Sequence, residues 1–92
     1  MTLKKSTIKN ILTEALNDMA TDKSRWELVK FAAKEVEELG EVLIYLNTTV
    51  DYFQRVGGPK SKHEGHIRES LTFIYSVNTH ELMDKNYKTI WC

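Results

Sequence analysis

The 92-residue sequence contains one cysteine, one proline and four glycines. The single cysteine, Cys92, is too little for an internal disulfide or for a cysteine-built zinc site. No apolar run approaches the roughly 18 residues that a membrane-spanning helix needs, and no apolar stretch of signal-peptide length follows the basic N-terminus. We therefore expect a cytoplasmic protein without a membrane partner.

The sequence also lacks an excess of charge, with 13 lysines and arginines against 13 aspartates and glutamates. A balanced chain has no general attraction to nucleic acid, so a nucleic-acid partner is not expected. Apolar residues make up 41% of the chain and charged residues 28%, which is typical of a folded protein. This length predicts a single domain, residues 1–92.

The spacing of apolar residues predicts three helices and no strand. Residues 6–20 carry apolar side chains at intervals of three and four, which is typical of an amphipathic helix. Residues 25–56 continue this spacing as a heptad series that a Gly-Gly-Pro sequence ends, and a capping-box motif precedes a third helix at residues 62–85. The sequence thus predicts an all-α fold, with a short N-terminal helix and a long antiparallel helical hairpin.

The length of the second expected helix bears on assembly. It would measure about 48 Å at 1.5 Å per residue, whereas a compact domain of this size has a radius of gyration near 12 Å, so two further helices cannot cover it. A chain this short also buries only about 60–65% of its unfolded surface, so a lone monomer would be marginal. We expect a helical-bundle homo-oligomer, dimeric or larger. The alternative is a monomeric three-helix bundle with a kink near Gly40.

Four acidic residues depart from the apolar pattern of the expected helices. A helical hairpin that turns at Gly58 brings Glu35 and Glu38 level with Glu81 and Asp84. Four clustered carboxylates repel one another unless a hard cation such as magnesium bridges them. The pattern predicts a magnesium site made of these four side chains. The alternative is that the acids lie at the rim and pair with neighbouring lysines.

Residues 33–43, A-K-E-V-E-E-L-G-E-V-L, resemble the first metal-binding helix of the MazG-like nucleotide pyrophosphohydrolases. The resemblance implies an all-α, oligomeric, magnesium-dependent enzyme that cleaves nucleoside triphosphates to monophosphate and pyrophosphate. By position, Glu35 and Glu38 match the second and third acids of the family's motif, and Lys34 stands where the first acid belongs. Glu81 and Asp84 match in form the acid pair of the family's next helix, although they lie farther along the chain.

Basic side chains suggest a different site, for an anionic ligand. Lys30 and Lys34 belong to the basic first third of the chain, and Arg68 and His66 lie near the start of the third expected helix. These four are candidate ligand-binding residues, and the alternative is that they are ordinary solvated side chains. Residues 66–70 also resemble part of the phage-encoded sponges that sequester cyclic nucleotide signals.

Two functions remain open from the sequence. Small size and incomplete catalytic motifs favour a non-enzymatic binding or regulatory protein, either an inhibitor, an adaptor or a sponge for a nucleotide-type ligand, that acts by stoichiometric binding as an oligomer. A phage-encoded protein fits this interpretation. The alternative is a MazG-like pyrophosphohydrolase with magnesium as cofactor, or a degenerate relative of one. The partners expected for this protein are a second copy of the chain and a protein or nucleotide-type ligand.

Overall fold

The computed structural model describes residues 2–55 and 64–92. In these residues, one helix, α1 (Lys5–Met19), precedes five strands: β1 (Ser24–Glu38), β2 (Glu41–Arg55), β3 (Glu64–Ser76), β4 (Glu81–Asp84) and β5 (Thr89–Trp91). The strands form one antiparallel sheet in the order β1-β2-β3-β4-β5. Each strand therefore pairs with its neighbour in the sequence, and β1 and β5 are the edge strands.

The core lies between α1 and one face of the sheet. The buried residues of α1 recur at helical spacing and form one apolar stripe: Ile8, Leu12, Ala15 and Leu16. Together with part of this stripe, the core cluster contains these residues of the sheet: Ile44, Leu46, Phe73, Tyr75 and Leu82. Burial of this stripe anchors the helix on the sheet, because an isolated helix of this length is marginal in water.

The expectation of an all-α fold with a long helical hairpin is wrong. The helix expected over residues 6–20 corresponds to α1, but residues 25–56 and 62–85 contain strands rather than helices. The expected helical bundle is therefore also wrong, because it was built from those two helices. The Gly-Gly-Pro sequence and most of the capping-box motif lie outside the described residues.

β1 and β2 are joined by a two-residue turn at Leu39 and Gly40. Both residues have positive φ, 51° and 81°, and Glu38 pairs with Glu41 directly across the turn. This is the arrangement of a type I′ hairpin, whose twist matches that of the flanking strands. The chain therefore reverses in the middle of the segment that the heptad pattern assigned to one helix.

The composition of β2 explains why it is a strand. Residues 42–53 read V-L-I-Y-L-N-T-T-V-D-Y-F, a run dominated by β-branched and aromatic residues. Consecutive side chains of a strand point to opposite faces, and yet Leu43 and Ile44 are both buried. The first half of β2 is therefore covered on both sides, which removes the alternation of apolar and polar residues that marks a half-buried strand.

A β-bulge interrupts the pairing of β1 with β2. The register shifts between Leu28 and Lys30, which leaves Val29 as the extra residue of β1. The shift puts Leu28 and Phe31, three residues apart, on the same face of the sheet. The bulge thus produces helix-like spacing within a strand.

Side-chain hydrogen bonds tie both ends of α1 to the sheet. The backbone N–H of Thr2 donates to Oε1 of Glu35 in β1 at 2.6 Å. Near the other end, the indole Nε1 of Trp91 in β5 donates to Oδ2 of Asp18 at 2.7 Å. The molecule is elongated, with extents of 53 × 20 × 20 Å. Among the described residues, no helix combines the length and the apolar character needed to cross a membrane.

Candidate functional site on the open face of the sheet

The register assigns each residue of β1, β2 and β3 to one of two faces, because directly paired side chains lie on the same side of a sheet. The helix face carries the core and packs against α1. The opposite face, here called the open face, carries the row Ala32, Asn47 and Thr72 across the three strands. All three side chains are exposed, so the middle of this face is accessible to solvent.

A depression with a volume of about 400 Å³ lies in the middle of the open face. The open-face residues that line it, here called the trough, are Lys30, Ala32, Asn47, Thr49, Ser70 and Thr72. Short side chains in two successive rows leave this space above the backbone. The trough offers hydroxyl, amide and ammonium groups for hydrogen bonding, and its volume is within the ~300–1,000 Å³ of small-molecule sites.

A charged cluster bounds one end of the trough. The carboxylate of Asp51 accepts hydrogen bonds from Nε and Nη2 of Arg68, at 2.8 and 3.2 Å. Nε2 of His66 lies 3.2 Å from Oδ1 of the same carboxylate. The hydrogen bonds from Arg68 are the largest cause that lowers the pKa of Asp51, to about 2. Asp51 is therefore a fixed negative charge that holds Arg68 and His66 on the open face.

A stacked row of side chains follows the charged cluster. The rings of Phe53 and His66 are nearly parallel, with centroids 4.6 Å apart. Arg25 belongs to the third strand of this row, β1, and its guanidinium lies 4.2 Å from the centroid of the Phe53 ring. This row spans β1, β2 and β3 and orients the imidazole of His66.

The other end of the trough is closed by apolar and aromatic side chains. Ile74 is buried on the open face, where it pairs with Tyr45 of β2 and Met83 of β4. The hydroxyl groups of Tyr45 and Tyr87 are 2.8 Å apart, and this hydrogen bond is the main cause that raises the pKa of Tyr45. The β4–β5 connection thus lies against this end of the open face and closes the trough there.

Two of the four acids predicted to bind magnesium lie on the helix face. Glu35 accepts the hydrogen bond from the backbone of Thr2, which lowers the pKa of its carboxyl. Asp84 pairs with Phe73, and its Oδ1 accepts hydrogen bonds from the backbone N–H groups of Asn86 and Lys88. Each of these carboxylates has a local structural partner.

The other two acids lie on the open face, at different strands. Glu38 ends β1 and pairs with Glu41, whereas Glu81 begins β4 and accepts a hydrogen bond from Oγ1 of Thr89 at 2.9 Å. The structure therefore does not bring the four acids together. In the described ranges, no group of three His, Cys, Asp or Glu side chains is placed to hold a metal ion. The all-α fold implied by the MazG-like resemblance is wrong for this chain.

The four candidate ligand-binding residues all lie on the open face. Lys30 lines the trough, and Arg68 and His66 belong to the charged cluster beside it. Lys34 pairs with Tyr45 at the apolar end. The strands thus place these four candidate side chains on one surface.

Sequence reasoning missed the neutral part of the site, which is Asn47, Thr49, Ser70 and Thr72. A helical interpretation distributes these four residues around helices by a period of 3.6, so it does not place them on one surface. A signal was available in the T-T-V-D-Y-F run of β2, whose β-branched and aromatic content is typical of strands. Alternation along such a strand assigns Asn47, Thr49 and Asp51 to a single polar face.

Comparison of the chain with protein-family models, with curated proteins and with solved structures gives no match. The geometry of the open face therefore carries the functional argument by itself.

Proposed function

We propose that the protein is a non-enzymatic binding protein that holds a small, polar, anionic ligand of the nucleotide type in the trough. The observation that carries this proposal is the 400 Å³ depression, lined by exposed hydrogen-bonding groups in the middle of the open face. The cytoplasmic location expected from the sequence is part of the proposal.

The charges around the trough support an anionic ligand. The ammonium group of Lys30 forms no ion pair with another described residue, so it is available to a phosphate. Arg68 uses two of its nitrogens on Asp51 and remains 60% exposed, which leaves its outer edge open to solvent. A cation on each side of a row of hydroxyl groups suits a ligand that combines a phosphate with hydrogen-bonding groups.

The contacts of the described histidines favour binding over catalysis. His66 lies against Asp51, and Nδ1 of His80 is 3.3 Å from the hydroxyl of Tyr75. Neither imidazole is hydrogen-bonded to Ser70 or to another trough hydroxyl in the described part of the chain. The pairing of a nucleophile with a base that activates it is therefore not formed there.

Isothermal titration calorimetry with nucleoside mono-, di- and triphosphates and with cyclic dinucleotides tests the proposal. We expect saturable binding of at least one probe, weakened about tenfold by Lys30→Gln because a charge-assisted contact is lost. Ala32→Tyr should abolish binding by filling the trough, and tyrosine is well tolerated in an exposed strand position. The matched control is Lys88→Gln, which removes an exposed lysine away from the trough.

Two results would contradict the proposal. One is an absence of saturable heat with every probe, or equal effects of Lys30→Gln and Lys88→Gln. The other is consumption of a nucleoside triphosphate in the presence of magnesium, with release of pyrophosphate. That second result would support the pyrophosphohydrolase alternative instead.

A further inference from the structure

The tip of the β1–β2 hairpin presents a leucine to solvent. Leu39 is fully exposed, with a relative accessibility of 105%, and its φ is 51°. Type I′ turns favour asparagine, aspartate or glycine at this position, because the left-handed region strains most other residues and these three tolerate it best. Leu39 is therefore unfavourable both for the turn and for contact with water. A strained, exposed apolar residue at the end of a hairpin suits an anchor for a binding partner.

Carboxylates surround Leu39. Glu37, Glu38 and Glu41 are all exposed, and none of them forms an ion pair with another described residue. An apolar anchor bordered by three negative charges fits an apolar pocket bordered by positive charges. The same carboxylates would be repelled by an anionic lipid surface, which disfavours insertion of the tip into a membrane.

A pocket with these properties lies on the same chain, between α1 and β1. It has a volume of about 270 Å³, and its lining consists of three apolar and three basic residues: Leu28, Val29, Phe31, Lys5, Lys9 and Lys30. Val29 is the bulge residue and is 40% exposed, so the apolar floor is accessible. Removal of one buried leucine side chain leaves a cavity of about 150 Å³, so this pocket is large enough to receive a leucine.

We infer that the protein forms a two-fold homodimer in which Leu39 of each copy enters the basic pocket of the other. The tip follows the end of β1 and the pocket lies against the same strand, which is an edge strand of the sheet. Two copies with antiparallel β1 strands, related by an axis beside Lys34, bring each tip level with the other pocket. The contact is closed, because both tips and both pockets are used, so it does not propagate into a fibre.

Light scattering coupled to size exclusion tests the dimer with the full chain at micromolar concentration. We expect twice the 10.7 kDa chain mass. Leu39→Asn removes the anchor but keeps a residue that the turn prefers, so the hairpin should persist while dimerisation weakens at least about 100-fold. Ile67→Thr, which shortens another exposed apolar side chain in a strand, is the control and should leave the dimer intact.

A charge exchange tests the pairing of tip and pocket. One variant carries lysine at Glu37, Glu38 and Glu41, and the other carries glutamate at Lys5 and Lys9. Each variant alone opposes like charges in both contacts and should be monomeric. An equimolar mixture restores opposite charges in both contacts and should form a heterodimer.

Three outcomes would overturn the inference. They are a wild-type chain that stays monomeric, a Leu39→Asn variant that dimerises as tightly as the wild type, and a mixture of the charge variants that does not associate. A backbone amide NMR spectrum of each variant distinguishes loss of association from loss of folding.

Discussion

Thr48 is a buried polar residue whose hydrogen-bonding group is unused. Its side chain is 2% exposed on the helix face, and Oγ1 has no hydrogen-bond partner in the described part of the chain. Desolvation of an unpaired hydroxyl opposes folding. Thr48→Val replaces it with a methyl group of similar shape and should raise the free energy of unfolding by about 1 kcal/mol, or the Tm by roughly 4–8 °C.

Denaturant unfolding measures the effect of Thr48→Val, and Thr49→Val is the matched control. Thr49 is half-buried on the open face, so its substitution should change stability by less than about 0.5 kcal/mol. A loss of stability in Thr48→Val would show that the hydroxyl has a partner in the folded chain.

Asp51 makes stability depend on pH in the acid range. The folded chain holds the pKa of this carboxyl at about 2, below its ordinary value of 3.8, chiefly through the hydrogen bonds from Arg68. The contribution of Asp51 is therefore complete above pH 4 and is lost as the pH falls from 4 to 2. Arg68→Gln should remove most of this dependence, as measured by denaturant unfolding at a series of pH values.

The control for the acid range is Glu14→Gln, at an exposed position of α1. It should retain the dependence seen in the wild type. A wild-type chain whose stability is flat between pH 4 and 2, or a slope unchanged by Arg68→Gln, would contradict the role of the Asp51–Arg68 pair.

At the scale of elements, the β1–β2 hairpin depends on the backbone conformation of Gly40. Its φ is 81°, and a Cβ added there would meet no atom within 4 Å. The effect of a side chain is therefore conformational rather than steric. Gly40→Ala should lower the free energy of unfolding by about 1–2 kcal/mol, whereas Gly40→Asn should cost less because asparagine tolerates the left-handed region. Equal losses in the two variants, measured by denaturant unfolding, would contradict this account.

The sequence predicted α1 well and the β1–β2 hairpin wrongly, and the spacing of apolar residues explains both results. The apolar stripe of α1 has helical spacing and no competing interpretation. In β1, the bulge at Val29 gives a spacing of three between Leu28 and Phe31, which imitates a helix. An Asn-Gly pair would have marked the turn, but Leu39 in that position reads as one more apolar residue of a heptad.

The candidate site was predictable only in part, because the positions of side chains depend on whether the chain is a helix or a strand. Lys30 and Lys34 were identified by the basic bias of the first third of the chain, and charge is a property of the residue whatever its secondary structure. Arg68 and His66 were identified by residue type, within the segment that resembles the sponges. The magnesium prediction depended instead on helical spacing to bring Glu35 and Glu38 to one face. In a strand, residues three apart lie on opposite faces, so that geometry is lost.

At the scale of the whole molecule, the shape is unusually extended for the chain length. The radius of gyration is 14.9 Å, against about 12 Å for a compact domain of this size. The first halves of β1 and β3 and the second half of β2 extend beyond the short strands β4 and β5. The attachment of α1 to the sheet thus depends on a few contacts. The hydrogen bond from Trp91 to Asp18 is one of them.

Asp18→Ala tests the attachment of α1 to β5. We expect a loss of about 1 kcal/mol in the free energy of unfolding, because the indole N–H loses a charged acceptor. Hydrogen exchange should accelerate at the amides of β5 and remain unchanged in the β1–β2 hairpin. Asp22→Ala, at an exposed position between α1 and β1, is the control. Uniform acceleration along the chain would contradict a local role for the contact.

The sequential order of the strands has a consequence for how the chain folds. Because every strand pairs with its neighbour in the sequence, each hairpin can close without waiting for a distant segment, which favours rapid folding for a β-rich chain. The bond between Asp18 and Trp91 joins residues 73 positions apart, and we expect it to form after those hairpins because closing the longer loop costs more entropy. Contacts that form after the rate-limiting step of folding slow unfolding rather than speed folding, so we expect Asp18→Ala to raise the unfolding rate and to leave the folding rate nearly unchanged.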